Sequence, residues 1–375
     1  MKKIFFLSAL CMLGILSSCR NDEPTVPSTN TPVTDGKPST PGFYVLNEGQ
    51  MGSNNSTLDF FDASTGIYSA DIYAERNPTV IKELGDTGND LKVYNGRLYA
   101  VMNGSHKVEI MTADSAKHIA EVDIPNGRYI CFDGDAAYVS SYVGASYGES
   151  DIKGAVYRFN TKTLSVIDSV VVGYQPEELA IANGKLYVAN SGGYRSNNGY
   201  DNTVSVIDLA TFQKTKDITV DINLHRVKAD NKGNLYVSSR GNYMDISANL
   251  YVIDTQSDNV IDTLNIGATD ICIVGDTAYT YSSEFSYETF GYTYTYTYHT
   301  IDLNTREVAE AQFITDGTTL VATYGMAVDP KTRQIYFTDA GDYVNSGSVY
   351  CFSPAGKLQW KADAGVSPGH IAFTE

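Results

Sequence analysis

Five histidines, His106, His118, His225, His299 and His370, are the groups in this chain best suited to acid–base or metal chemistry. None stands in an HxH or HExxH spacing, so no local zinc-site motif is present. His225 and His370 fall at nearly the same register of two repeats described below. With Glu177, Glu178 or Asp270 they could form a metal or acid–base centre of the kind a hydrolase or lyase uses. No Gly-rich phosphate loop and no nucleophilic Ser turn accompanies them. The expectation is a protein that binds without turnover and holds no working cofactor or metal; a metal-assisted lactonase or lyase is the alternative.

Tyrosine is the second chemical resource. The chain holds 28 tyrosines against one Trp. Seven of them recur in one phrase: Tyr44 (GFYVLN), Tyr99 (GRLYAVMN), Tyr138 (DAAYVSS), Tyr187 (GKLYVAN), Tyr236 (GNLYVSS), Tyr279 (DTAYTYS) and Tyr336 (RQIYFTD). These read as packing between repeats. Others fall in connecting segments: Tyr142, Tyr147, Tyr174, Tyr194, Tyr200, Tyr243, Tyr287, Tyr324 and Tyr343. A tyrosine offers a rigid apolar plate with a hydroxyl at its tip. A rim of such residues mixed with Asn and Gly suits a large amphipathic ligand or a protein epitope. For any single one the alternative is packing within its own loop.

The elements that must position these residues are strands. Repeats of about 40–50 residues built only of strands are the signature of a β-propeller. Each repeat has an inner strand A (as in Leu179–Ala182), the tyrosine strand B, a strand C such as Val204–Asp208 and a shorter strand D such as Val166–Val172. The expected fold is all-β, a seven-bladed propeller over residues 42–375. The chain begins with a B strand and ends with an A strand, Gly369–Thr374. The last strand is therefore expected to complete the first blade, a one-plus-three closure.

The long, irregular, aromatic B–C loops, such as 140–154, 190–202 and 238–249, belong on one face, where binding residues usually sit. The first residues of the A strands should ring the channel: Asp90, Tyr129, Glu178, Arg226, Asp270, Gly325 and His370, preceded by residues such as Arg128, Glu177, His225 and Tyr324. That ring is polar and different in every repeat, and Arg226, Tyr324 and His370 join the loop tyrosines as candidate ligand contacts. Asp62, Asn160, Asp208, Asp254 and Asp302 share a turn register between C and D and read as hairpin caps, not catalytic carboxylates. Pairs such as Asn95-Gly96 and Asn183-Gly184 suit the positive φ of tight A–B hairpins. In the run 292–298, Tyr alternates with Thr. It reads as a long C strand packed between blades, with a stacking ladder as the alternative.

Residues 1–18 read as a signal peptide: Lys2 and Lys3, then an apolar stretch to Leu16. Leu16-Ser17-Ser18-Cys19 resembles a bacterial lipobox, which makes Cys19 the lipidated first mature residue; a plain secretory signal is the alternative. Residues 19–41, rich in Pro, Thr and Ser, read as a tether. Asp22-Glu23 just after Cys19 resembles a surface-export signal of Bacteroidota lipoproteins. The expected location is the outer membrane, lipid-anchored and facing the exterior, with the periplasm as the alternative. The net charge of −17 argues against nucleic acid and anionic lipid as partners. Cys131, Cys272 and Cys351 fall in apolar strands and read as buried thiols.

The repeats, with phrases such as GKLYVANSGG, NTVSVIDLAT and GYQPEELAIANGKLYV, resemble the YncE-like propeller family over roughly residues 43–375. With Cys19, Asp22-Glu23 and the tether, the chain looks like the BtuG-type surface lipoproteins of Bacteroides. That resemblance implies capture of vitamin B12 (cobalamin or another corrinoid) as bound ligand, and its delivery to a TonB-dependent, BtuB-like outer-membrane transporter. A corrinoid is a broad, mostly apolar disc edged with amides, a chemistry that Tyr plates, Asn and backbone groups can match. The rival reading is a surface propeller that binds a glycan or a protein.

Overall fold

In each repeat the B strand is a nearly continuous apolar run, so it must be covered on both faces. Gly42–Asn47 (GFYVLN) is buried at every position, whereas the D strand Val166–Val171 is largely exposed. This gradient, from covered inner strands to a solvated outer one, is what blades packed face to face around an axis require. A computed structural model of the chain shows this arrangement and describes residues 31–32, 42–80, 83–144, 151–285 and 294–374. Seven four-stranded antiparallel sheets form a ring, a seven-bladed β-propeller.

The A strands are Gly88–Tyr94, Gly127–Asp133, Pro176–Ala182, Leu224–Ala229, Asp270–Val274 and Thr323–Val328 for blades 2 to 7. Pro368–Phe373 pairs antiparallel with Gly42–Asn47, Phe373 opposite Phe43 and Ile371 opposite Val45. The C-terminal strand is thus the inner strand of blade 1, the expected one-plus-three closure. A two-residue strand, Thr31–Pro32, adds to the outer edge of that blade.

The core lies between blades. Tyr44 and Leu46 of blade 1 pack on Leu91, Leu98 and Met102 of blade 2. Two of the repeated tyrosines reach the next blade with their hydroxyls. Tyr44 donates to the Ala113 carbonyl at 3.0 Å, and Tyr187 to Asp258 Oδ1 at 2.6 Å, each in the next blade's C–D turn. Tyr138 instead lays its ring on Phe212 of the next blade, centroids 5.7 Å apart. Tyr44, Tyr138 and Tyr187 thus join apolar burial to a directional contact. The alternating run behaves in the same way where it is described. Tyr298 packs on Phe313 and Phe337 at 5.4 and 5.6 Å, between blades 6 and 7. Tyr292 lies outside the described residues.

The five turn residues cap their hairpins. Asp208 accepts from Thr211 N at 2.8 Å, Asn160 from Lys162 N at 2.8 Å, and Asp302 from Asn304 N at 2.7 Å. Asp62 and Asp254 make the same bonds to Ser64 N and Ser257 N. These bonds hold the carboxyls of Asp62, Asp208, Asp254 and Asp302 below their ordinary range. Asn95 and Gly96 carry φ of 50° and 72°, and Asn183 and Gly184 49° and 71°, the paired positive values of a tight hairpin. Cys351 is buried, while Cys131 and Cys272 are only half covered; all three are free thiols.

One feature of the A strands was not anticipated. In six blades the pairing of A with B shifts register at the start of A, between Gly88 and Asp90 or between Leu224 and Val227, for example. Each shift is a bulge that sets an extra inner residue against its partner strand. Blade 6 pairs without a shift.

Candidate functional site

The bulges build the site. An unbroken strand sends successive side chains to opposite faces; a bulge re-aims one of them. Arg128 and Tyr129 of blade 3 thus both line one cavity at the channel mouth, and so do His225 and Arg226 of blade 5. The bulged backbone is held by serines on the facing strand. Ser140 Oγ accepts from Tyr129 N at 3.1 Å, and Ser238 Oγ from Arg226 N at 3.0 Å. The cavity has a volume of about 420 Å³ and opens on the long-loop face, within the range of ordinary small-molecule pockets.

Its floor is a network of charge. Arg128 grips Glu177 Oε2 through Nε and Nη2 at 3.1 and 3.0 Å, and Tyr142 donates to Glu177 Oε1 at 2.6 Å. Arg226 lies 3.2 Å from Asp270 and 5.2 Å above the ring of Tyr129. The Tyr129 ring stands between the two histidines, 6.2 Å from each, and its hydroxyl is 3.0 Å from His225 Nε2. Tyr324 donates to Glu48, a residue 276 positions away in sequence.

Burial decides the protonation of the histidines. Desolvation, reinforced by Arg240, Arg226 and Arg128, holds His225 well below its ordinary range. Desolvation takes His370 down to about 3, with Asp90 opposing and Arg226 assisting. Both are neutral imidazoles at physiological pH. Burial raises the Glu48 carboxyl against the pull of Tyr324 and Arg128. Glu177 is held low, because Arg128 and Arg240 outweigh its own burial. Glu178 turns away from the mouth to accept from Val227 N at 3.0 Å and to pair with Lys228. Among the described residues, no three His, Cys, Asp or Glu side chains are grouped to hold a metal ion.

The rim is apolar. The loop after Arg240 presents Tyr243, 54 % exposed, and Met244, 88 % exposed, with Ile246 beside them. Across the mouth Tyr343 meets Tyr324 edge to face, centroids 5.6 Å apart, next to exposed Val344. Of the residues singled out from sequence, Arg226, Tyr243, Tyr324, Tyr343 and His370 come together at this cavity. Tyr142 is buried below the face, under the Arg128 guanidinium at 4.9 Å and edge-on to the exposed Tyr194 at 6.3 Å. It supports the floor. Tyr174 lies beneath Arg195, 3.7 Å from the guanidinium carbon to the ring centre, and stays outside the cavity. Tyr200 is half-buried, next to Tyr243. Tyr147, Tyr287 and Cys19 lie outside the described residues. Sequence reasoning missed Glu48, Arg240 and Tyr281 as cavity residues. The first two directly follow a B strand, Gly42–Asn47 and Asn234–Ser239, a shared register that the sequence displays.

Fold and site define the class: a seven-bladed β-propeller with a cavity of charged floor and aromatic rim at one channel mouth. The chain belongs to the family DUF5074, a domain of unknown function, which matches residues 41–361. No curated protein matches the chain. Among solved structures, the chain is similar to hydrazine synthase of Kuenenia stuttgartiensis, with a TM-score of 0.62 at 16% identity over 76% of this chain and 89% of that one. It is also similar to a quinonprotein alcohol dehydrogenase-like protein of Bacteroides thetaiotaomicron, at 0.56 and 15% identity over 90% and 79% of the two chains. A computationally designed protein, Ika8, matches at 0.53 and 12% identity over 92% and 90%. At these identities the likeness shows the fold alone.

Proposed function

We propose that this protein is a binding propeller that captures a large amphipathic small molecule, a corrinoid such as cobalamin, at the long-loop face without chemical turnover. The observation that carries the reading is the juxtaposition at the mouth. Exposed Tyr243, Met244 and Tyr343 stand at the rim of a cavity whose deeper wall is Arg, His and Tyr. A disc with apolar faces and an amide edge matches that sequence of surfaces. The disc would lie across the rim with polar groups directed inward. The lipobox at Cys19 and the tether support presentation at the outer membrane, and the resemblance to BtuG-type lipoproteins supports hand-over to a TonB-dependent transporter.

The test is calorimetric titration of cyanocobalamin into the full chain in mild detergent. A saturable one-to-one isotherm is expected. Tyr243→Ala and Tyr343→Ala should each weaken it about tenfold, the loss of one aromatic contact together with its buried area, with melting unchanged. A flat isotherm from folded protein overturns the corrinoid reading and leaves glycans and proteins as ligands to try. Normal binding by both variants moves the site off this rim.

A further inference from the structure

The mouth holds more donor capacity than the protein itself uses. Arg226 spends Nε on the Thr269 carbonyl, at 3.4 Å, and its two terminal nitrogens donate no hydrogen bond among the described residues. The Arg240 side chain donates none either; its nearest carboxylate, Glu177, is 3.6 Å away. Three further polar atoms on the same cavity wall are buried without a partner: His225 Nδ1, Tyr281 Oη and Thr323 Oγ1. Native proteins pair nearly all such groups, so a cluster of unpaired ones around a single cavity points to a ligand that pairs them.

Charge gives the sign of that ligand. Three guanidinium groups, those of Arg128, Arg226 and Arg240, face the mouth. The carboxylates that answer them are Glu177 and Asp270. The remaining acid at the wall, Glu48, is engaged by Tyr324, and burial favours its neutral form. Guanidinium, hydroxyl and imidazole are all able to donate. Arginine in particular presents its terminal N–H groups in the planar fork that fits a carboxylate or a phosphate. A cationic pocket in a chain with a net charge of −17 is a local reversal of the molecule's field.

We propose that the channel mouth is a socket for an oxyanion, a carboxylate or phosphate group carried inward by the bound ligand, with Arg226 and Arg240 as its cationic walls and Tyr281, His225 and Thr323 as neutral donors. The proposal rests on reading the mouth as the binding site; it does not depend on the ligand being a corrinoid.

Inorganic phosphate and acetate, each titrated at constant ionic strength, probe the socket directly in the full chain, with melting temperature as readout. A saturable rise is expected with one of the two, and the effective anion identifies the chemistry. Arg240→Gln, a partly exposed position that leaves the Arg128–Glu177 pair in place, should remove the rise, read against the variant's own unliganded melting temperature. Arg226→Lys is the second variant, because it keeps a charge beside Asp270 while losing the fork. No rise with either anion, or a rise unchanged in both variants, overturns the socket and assigns the unpaired donors to water. Cyanocobalamin and cobinamide, a corrinoid without the phosphodiester, separate this proposal from the preceding one. If both corrinoids bind and Arg240→Gln weakens only cyanocobalamin, about tenfold for one charge-assisted contact, the oxyanion is the corrinoid's phosphate. If phosphate or acetate binds and neither corrinoid does, the socket stands and the corrinoid reading falls. If both corrinoids bind equally to wild type and variants and no anion does, the reverse holds.

Discussion

At the scale of single residues, the mouth keeps its histidines uncharged by burial. His370 sits beside Asp90 at 3.7 Å, yet desolvation takes it down to about 3. The linkage has a definite sign. A histidine whose folded value lies below the unfolded 6.5 contributes stability at neutral pH that is lost as pH falls from 6.5 towards 3. Between pH 6.5 and 5 the loss amounts to about 2 kcal/mol at about 1.4 kcal/mol per pH unit. Urea unfolding of wild type and His370→Gln at pH 7 and pH 5 checks this. The wild type should lose more over that interval, and equal losses would show that His370 is hydrated. The sequence carried part of this picture. Register alone placed His225 and His370 at the channel. It carried no sign that both would be neutral, because that depends on burial and on arginines from other blades.

At the scale of elements, the bulge lets two successive residues of one A strand reach the same pocket, as in blades 3 and 5. It was legible in part. Pairs of polar residues, Arg128-Tyr129 and His225-Arg226, precede an apolar run and break the alternation of a regular strand. The serine that holds each bulge, in the phrases AYVSS and LYVSS, reads in sequence only as a strand residue. Its role follows from a hydrogen bond to a backbone N–H that the ladder has left unpaired. Ser238→Ala removes the acceptor for Arg226 N. The expected cost is about 1–3 kcal/mol, the cost of orphaning a buried donor, measured by chemical denaturation. Arg226 should also be displaced, weakening whatever the mouth binds. Unchanged stability would mean that the bulge is held by its neighbours alone. The loop tyrosines show the opposite limit. Tyr142 and Tyr243 look alike in sequence, as aromatic residues just after a B strand. One is buried on Glu177 and the other is exposed at the rim, because loop paths are set by contacts with other blades.

At the scale of the whole molecule, the number of blades and the mode of closure were legible because each rests on repetition: seven tyrosine phrases, a first strand of type B and a last strand of type A. The cavity was legible only as a polar ring at the channel mouth; the pairings in its walls were not, since they join residues far apart in the chain, Tyr324 with Glu48 and Tyr129 with His225. Closure is expected to be indispensable. A chain ending at Ser367 leaves the fully buried Gly42–Asn47 without its inner partner and removes the bond from Thr374 N to the Gly42 carbonyl at 2.9 Å. Loss of the cooperative melting transition, followed by circular dichroism, is expected. A truncated chain that melts within a few degrees of wild type would show that six complete blades suffice.

The same pairing sets a clock on synthesis. Gly42 and Thr374 stand 332 positions apart. At about 5–20 residues per second, ribosomal elongation between them takes on the order of tens of seconds. Throughout that interval the edge of Gly42–Asn47 that Pro368–Phe373 will cover has no native mate and offers a template for wrong pairing. Blades 2 to 7 each receive all four strands as a contiguous stretch, but the first blade is finished last. Until the last strand is made the N-terminal blade stays open, and a chain cut short before Pro368 would carry that exposed edge permanently.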